Sequence, residues 1–120
     1  MSKTTLVIGA STKPSRYAYK AVIDLTKYGH EVIAYGRRPG KIEDIPIVTE
    51  IPTDIKFHTI TVYISKENQK DLLEIIKMVK PKRVIFNPGS ENFDLVPKIS
   101  QLGIESIEAC TLVLLRIGNY

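Results

Sequence analysis

Within its first 35 residues the chain changes hydrophobic period twice, and that change restricts the fold more than any other feature. Residues 4–8 (TTLVI) form a short, β-rich apolar run that stops at Gly9. From Tyr17 onward, Ala18, Ala21, Val22, Leu25 and Tyr28 recur at three and four, as one buried helix face would. Gly29 supplies a helix stop. Residues 31–35 (EVIAY) then read as a second strand, ended by Gly36, Arg37, Arg38, Pro39 and Gly40. Strand, glycine-bearing turn, helix and strand within about thirty residues make a βαβ unit, because parallel pairing requires such a crossover.

The alternation continues after an irregular segment, residues 41–57, where Pro46 and Pro52 suggest a loop with a small extended piece at 45–48. Residues 59–64 (TITVYI) are β-branched and aromatic, hence a strand. Ser65 is placed to cap a helix whose buried face is Leu72, Ile75, Ile76 and Val79, and Pro81 bars its continuation. Residues 83–86 (RVIF) predict a fourth strand, followed by the loop 87–92 (NPGSEN). A helix over 94–102 must hold Pro97 in its first turn and ends at Gly103. A fifth strand over 105–109 leads into a short helix over 112–117. The prediction is a single domain, residues 1–120, with a doubly wound, parallel, five-stranded sheet: a Rossmann-like α/β fold.

Composition narrows the function classes. With 43% hydrophobic and 25% charged residues there is no case for disorder. No apolar run approaches the roughly 18 residues of a membrane span, and the opening residues lead into a strand rather than a signal peptide. Cys110 is the one cysteine, which excludes an internal disulfide framework and fits a cytoplasmic, reducing compartment. His30 and His58, distant in sequence, do not suggest a zinc site with it, so no metal is expected. The net charge of +4 leans towards an anionic partner, either a phosphorylated small molecule or nucleic acid.

In doubly wound sheets the ligand lies beyond the carboxyl ends of the strands, where strand order reverses. The loops that follow strands are 9–16, 36–40, 65–68, 87–92 and 110–111, and polar and glycine-rich positions of the chain gather in them. The loops at the other edge, 28–30 and 79–82, read as plain connections, with Lys80 and Lys82 solvated. Gly9 and Ala10 carry little bulk, Ser11 offers a hydroxyl, and a helix start adds its partial positive charge: the means to hold a pyrophosphate. The other reading is a simple tight turn. The G-x-G-x-x-G fingerprint is absent, since Ser11 and Pro14 replace its later glycines, which argues against an ordinary NAD enzyme. After the second strand Arg37 and Arg38 stand where an NAD site places an acid. Two arginines suit a ribose carrying a phosphate, as in NADP or coenzyme A; two solvated surface arginines are the alternative.

Catalytic groups are scarce. Both histidines precede strands, at the far edge, and the crevice loops offer no paired carboxylates beyond Glu91 and Glu108. Cys110 ends the fifth strand before a helix start, a position that favours a thiolate. The alternative is a small residue packing the last helix.

The run Val7-Ile8-Gly9-Ala10-Ser11 with Pro14-Ser15-Arg16, together with FNPGSEN at 86–92 and IEACTLVLLRIGNY at 107–120, resembles the CoA-binding domain family. These are small bacterial and archaeal proteins related to the nucleotide-binding domain of succinyl-CoA synthetase. The resemblance spans essentially the whole chain. It implies non-covalent binding of coenzyme A (or an acyl-CoA), with Gly9, Ala10, Ser11 and Arg16 at the phosphates and Arg37 and Arg38 at the adenosine end. Ser65 and the turn Pro88-Gly89-Ser90 would line the remainder, with Cys110 near the thiol. The chain departs from the commoner family pattern at Gly36-Arg37-Arg38, often an Asn-Pro pair, and at Glu108-Ala109-Cys110, often Asp-x-Cys. The expectation is a small-molecule nucleotide ligand, with neither nucleic acid nor membrane as partner and no evident catalytic activity. An NADP-binding module or reductase subunit is the alternative. A basic nucleic-acid-binding domain comes third, because the aromatics do not interleave with the basic residues.

Overall fold

All four residues of β1 (Thr5–Ile8) are buried, so this strand lies inside a sheet covered on both faces. The structure, a computed structural model, describes residues 2–120. β1 is parallel to β2 (Val32–Tyr35) on one side and to β5 (Thr59–Val62) on the other. β6 (Arg83–Phe86) and β7 (Glu105–Glu108) extend the parallel array beyond β5. Beyond β2 lie β4 (Ile45–Val48), parallel to it, and β3 (Gly40–Ile42), antiparallel to β4. The order is β3-β4-β2-β1-β5-β6-β7.

The five expected strands are all present, but the sheet has seven and is mixed rather than wholly parallel. The irregular segment after β2 folds back as a hairpin. Ile42 and Ile47 carry it into the core, both nearly fully buried. Pro46 is tolerated because β4 pairs with β2 only from Ile47 onward.

Side chains alternate across the sheet with the period of two that strands impose. Leu6, Ile8, Ile60, Val62, Val84 and Phe86 point to one face, where α2 (Leu72–Val79) and α3 (Val96–Gln101) add Leu72, Ile76 and Ile99. Val7, Ala34 and Ile85 point to the other, against Ala18, Val22 and Leu25 of α1 (Tyr17–Lys27) and Leu115 of α4 (Thr111–Arg116). The sheet is therefore doubly wound. Among the described residues no helix is long and apolar enough to cross a membrane.

One helix start differs from expectation. Ser65 precedes a single 3₁₀ turn, Lys66–Asn68, and makes no side-chain cap bond; α2 begins only at Leu72. Gln69 interrupts the helix by turning inward. Its Nε2 donates to the carbonyls of Ile64 (2.9 Å) and Ser90 (2.7 Å), and its Oε1 accepts from Asn92 (2.9 Å).

The amino edge of the sheet holds a basic cluster. Arg83, only 9% exposed, donates from Nε to Thr59 Oγ1 (2.8 Å) and from Nη2 to the Tyr120 carbonyl (3.3 Å). Its guanidinium also lies 4.4 Å from the Tyr120 ring centroid. Lys3 Nζ donates to the same carbonyl, and the Thr5 and Tyr120 hydroxyls bond each other. His30 and His58 flank this cluster. Burial, with Lys3 beside His30 and Arg83 beside His58, holds both below the usual histidine pKa. Lys80 and Lys82 nearby are exposed, as expected.

Candidate functional site

β1 leads through α1 to β2, while β5, its other neighbour, leads on to β6. Strand order therefore reverses between β1 and β5, and a crevice opens beyond their carboxyl ends. The first loop forms its floor. Gly9 has φ +99°, and a Cβ there would lie 3.0 Å from Ile64 Cγ2 and 3.3 Å from the Tyr63 carbonyl carbon. Only glycine lets the two loops approach so closely. The amides of Gly9 and Ala10 both donate to the Tyr35 carbonyl, each at 3.0 Å. A Cβ at Gly36 would lie 2.5 Å from the Ala10 carbonyl oxygen, so the second loop also packs backbone against backbone.

Ser11 Oγ accepts from the Lys13 amide (3.2 Å), and the Arg16 amide donates to the Lys13 carbonyl (3.0 Å). This compact turn delivers the chain to α1. Arg16 occupies the N-cap position with no side-chain bond to the first-turn amides, which leaves those donors for a ligand or water.

Above this floor lies a cleft of about 1100 Å³. It is lined by the first loop and the start of α1 (Gly9, Ser11, Lys13, Ser15, Arg16, Tyr17 and Ala18) and by Tyr63, Pro88, Gly89, Cys110 and Leu112 from the neighbouring loops and α4. An adjoining hollow of about 490 Å³ is bordered by Ala10, Ser11, Lys13, Arg16, Arg37 and Arg38. A third, about 240 Å³, lies among Ile8, Tyr35, Gly36, Asp71, Leu72 and Ile75. Asn68 borders all three. The charge is segregated. Among the described residues none of Lys13, Arg16, Arg37 and Arg38 has a carboxylate within 4.0 Å. Lys13 and Arg16 are the charged side chains in the lining of the large cleft; Cys110, a half-buried thiol, sits at the N-cap of α4.

Most of the residues singled out from the sequence meet here: Gly9, Ser11, Arg16, Ser65, Pro88, Gly89 and Cys110 around the large cleft, Ala10, Arg37 and Arg38 around the cationic hollow. Ser90 does not. It is 2% exposed, and its hydroxyl bonds to the carbonyls of Asn87 (2.7 Å) and Val62 (3.1 Å), tightening the turn rather than facing the cleft. Asn87 is equally committed. Its Nδ2 donates to Thr61 Oγ1 (2.7 Å) and the Val62 carbonyl (2.9 Å), while its Oδ1 accepts from the Thr111 amide (2.9 Å). It thereby fixes the start of α4, and with it Cys110, against β5 and β6.

Sequence reasoning missed Lys13 and Asn68. Lys13 could have been found, since it lies in the first loop. Asn68 ends the loop 65–68 that the sequence also marks, but its contact with Arg37 depends on the 3₁₀ turn that replaces the start of the expected helix. The Tyr63 hydroxyl, buried without a hydrogen-bond partner, has a pKa raised above the usual tyrosine value by burial.

The doubly wound sheet and its crevice place the chain in the Rossmann-like α/β class. Residues 3–116 match the model of the CoA-binding domain family, and the chain belongs to that family. An uncharacterized protein of known crystal structure is 42% identical, with TM-score 0.95, over 100% of this chain and 99% of that one. A Thermus thermophilus protein, 20% identical, matches with TM-score 0.83 over 99% of this chain and 91% of its own. A dinucleotide-forming acetyl-coenzyme A synthetase from Ca. Korarchaeum cryptofilum, solved with phosphate and ADP, is 14% identical. It matches 91% of this chain, but only 26% of its own length, with TM-score 0.73. The last two share the fold alone. A comparison with curated proteins finds no match.

Proposed function

We propose that the chain is a single ligand-binding unit that holds coenzyme A non-covalently across the carboxyl edge of its sheet. One observation carries this reading: Lys13, Arg16, Arg37 and Arg38 surround one hollow, with no carboxylate within 4.0 Å of them among the described residues. Such a cluster repels itself unless an anion of matching charge occupies it. Coenzyme A offers a pyrophosphate and a ribose phosphomonoester, the latter alone roughly −1.5 to −2 at neutral pH. The pyrophosphate meets the first loop and the amides of α1; the monoester meets Arg37 and Arg38. The uncharged lining supplied by Tyr63, Pro88, Gly89 and Leu112 suits the neutral pantetheine arm and would bring its thiol towards Cys110. No crevice residue is assigned a catalytic role.

NADP remains the second reading, because its ribose phosphate would satisfy the same arginines. Isothermal titration with coenzyme A, NADPH, NADH and a short oligonucleotide separates the possibilities. The expected result is saturable binding of coenzyme A ahead of the other three. A preference for NADPH would transfer the assignment to the second reading, and a preference for the oligonucleotide would reject both.

A further inference from the structure

We propose that Asn68 is a positioning residue that sets the ligand's preference at the ribose by holding the Arg37 guanidinium across the crevice. The proposal rests on the crevice being a nucleotide site. Arg37 follows β2 and is exposed, so its long side chain has little packing to restrain it. Asn68 lies across the gap, in the 3₁₀ turn after β5. Arg37 Nη2 donates to Asn68 Oδ1 (3.2 Å), and Asn68 Nδ2 donates to Ser65 Oγ (2.9 Å). The carboxamide can be used only this way round, because a guanidinium has donors and no acceptor. Asn68 borders the large cleft, the cationic hollow and the smaller third hollow alike, and Arg37 borders the last two.

The side-chain type carries the argument. An aspartate here would also hold Arg37, but as an ion pair that cancels the charge an anionic ligand needs. Asparagine uses one of the five guanidinium N–H donors and leaves the positive charge intact. The arginine is thus held in place before a phosphate arrives, and less freedom is lost on binding.

The test uses adenosine 3′,5′-bisphosphate and adenosine 5′-monophosphate, titrated into wild type, Asn68→Ala, Asn68→Asp and Arg37→Ala at low and high salt. All three substitutions are at exposed positions, and unchanged melting curves would confirm folding. Wild type should prefer the bisphosphate. Asn68→Ala should reduce that preference by about three- to tenfold, the net worth of one hydrogen bond. Its affinity for the monophosphate should stay essentially the same. Asn68→Asp should bring the preference down to that of Arg37→Ala and flatten its salt dependence. A merely structural role for Asn68 would weaken both ligands alike, and that result would overturn the inference. So would a preference unchanged in Asn68→Ala. A wild type that binds neither ligand nor coenzyme A overturns the nucleotide reading, and the inference with it.

Discussion

At the amino edge of the sheet Arg83 is buried, stacked on Tyr120 and bonded to Thr59; at the carboxyl edge Arg37 and Arg38 are exposed, and only Asn68 bonds either of them. Both edges are basic, and among the described residues neither Arg83 and Lys3 nor Lys13, Arg16, Arg37 and Arg38 have a side-chain carboxylate within 4.0 Å. What separates them is where the donors go. Arg83 and Lys3 both point at the Tyr120 carbonyl, so that cluster closes the fold on itself. Lys13, Arg16, Arg37 and Arg38 surround open space, and the nearby amides of α1 lack side-chain caps. Positive charge alone does not mark a binding site. What sets the carboxyl edge apart is that its cations border open space.

The comparison predicts a double dissociation. Replacing Arg83 with Ala strips a buried donor from Thr59 and Tyr120 and should cost about 2–3 kcal/mol of stability by urea unfolding. Affinity for coenzyme A should be unaffected in the folded fraction. Replacing Arg37 and Arg38 together with Ala should do the reverse. Coenzyme A affinity should fall by about 1.5–3 kcal/mol if the contact is partly desolvated, while stability changes by less than about 0.5 kcal/mol. A stability loss at the carboxyl edge as large as that at the amino edge would erase the distinction.

Gly36→Ala sharpens it further. The added Cβ would meet the Ala10 carbonyl oxygen at 2.5 Å, and neither backbone can yield cheaply. The expected cost is about 1–3 kcal/mol, as for other overpacked sites, together with weakened ligand binding because the first loop is displaced.

The smallest effect is that of acid on the amino edge. Burial holds the pKa values of His30 and His58 in the folded chain below the usual 6.5. Above pH 6.5 both are neutral whether the chain is folded or not, so their contribution is fully present. As pH falls below 6.5 the unfolded chain takes up protons first, and stability is lost as the pH passes through the folded values. Urea midpoints measured from pH 7.5 to 5 should decline. Replacing both histidines with Gln should flatten that decline, and an unaltered decline would place its origin elsewhere.

Much of this architecture was legible because the local and global preferences agree. β1, β5 and β6 are buried on both faces and, Arg83 at the start of β6 apart, read as apolar or β-branched runs, and α1 shows its buried stripe plainly. The extended piece at 45–48 was legible and is β4, but β3 and the hairpin that joins the two were not. Its turn is Glu43-Asp44, with Glu43 at φ +54°, where Gly or Asn would have announced it. The site divides in the same way. Gly9, Ala10, Ser11, Arg16, Arg37 and Arg38 could be found because they follow strands whose ends topology brings together. Ser90 was misplaced because a loop serine reads alike whether its hydroxyl faces a ligand or two carbonyls of its own turn. Asn68 was missed because its partner is 31 residues away in sequence.

The central claim is that the carboxyl-edge arginines are held open for a ribose phosphate. The most direct measurement compares wild-type affinity for coenzyme A and dephospho-coenzyme A at low and high salt. Coenzyme A should bind more tightly, and the gap should narrow as salt rises, since exposed charges are screened. Equal affinities at low salt would contradict the claim and leave Arg37 and Arg38 as two solvated side chains.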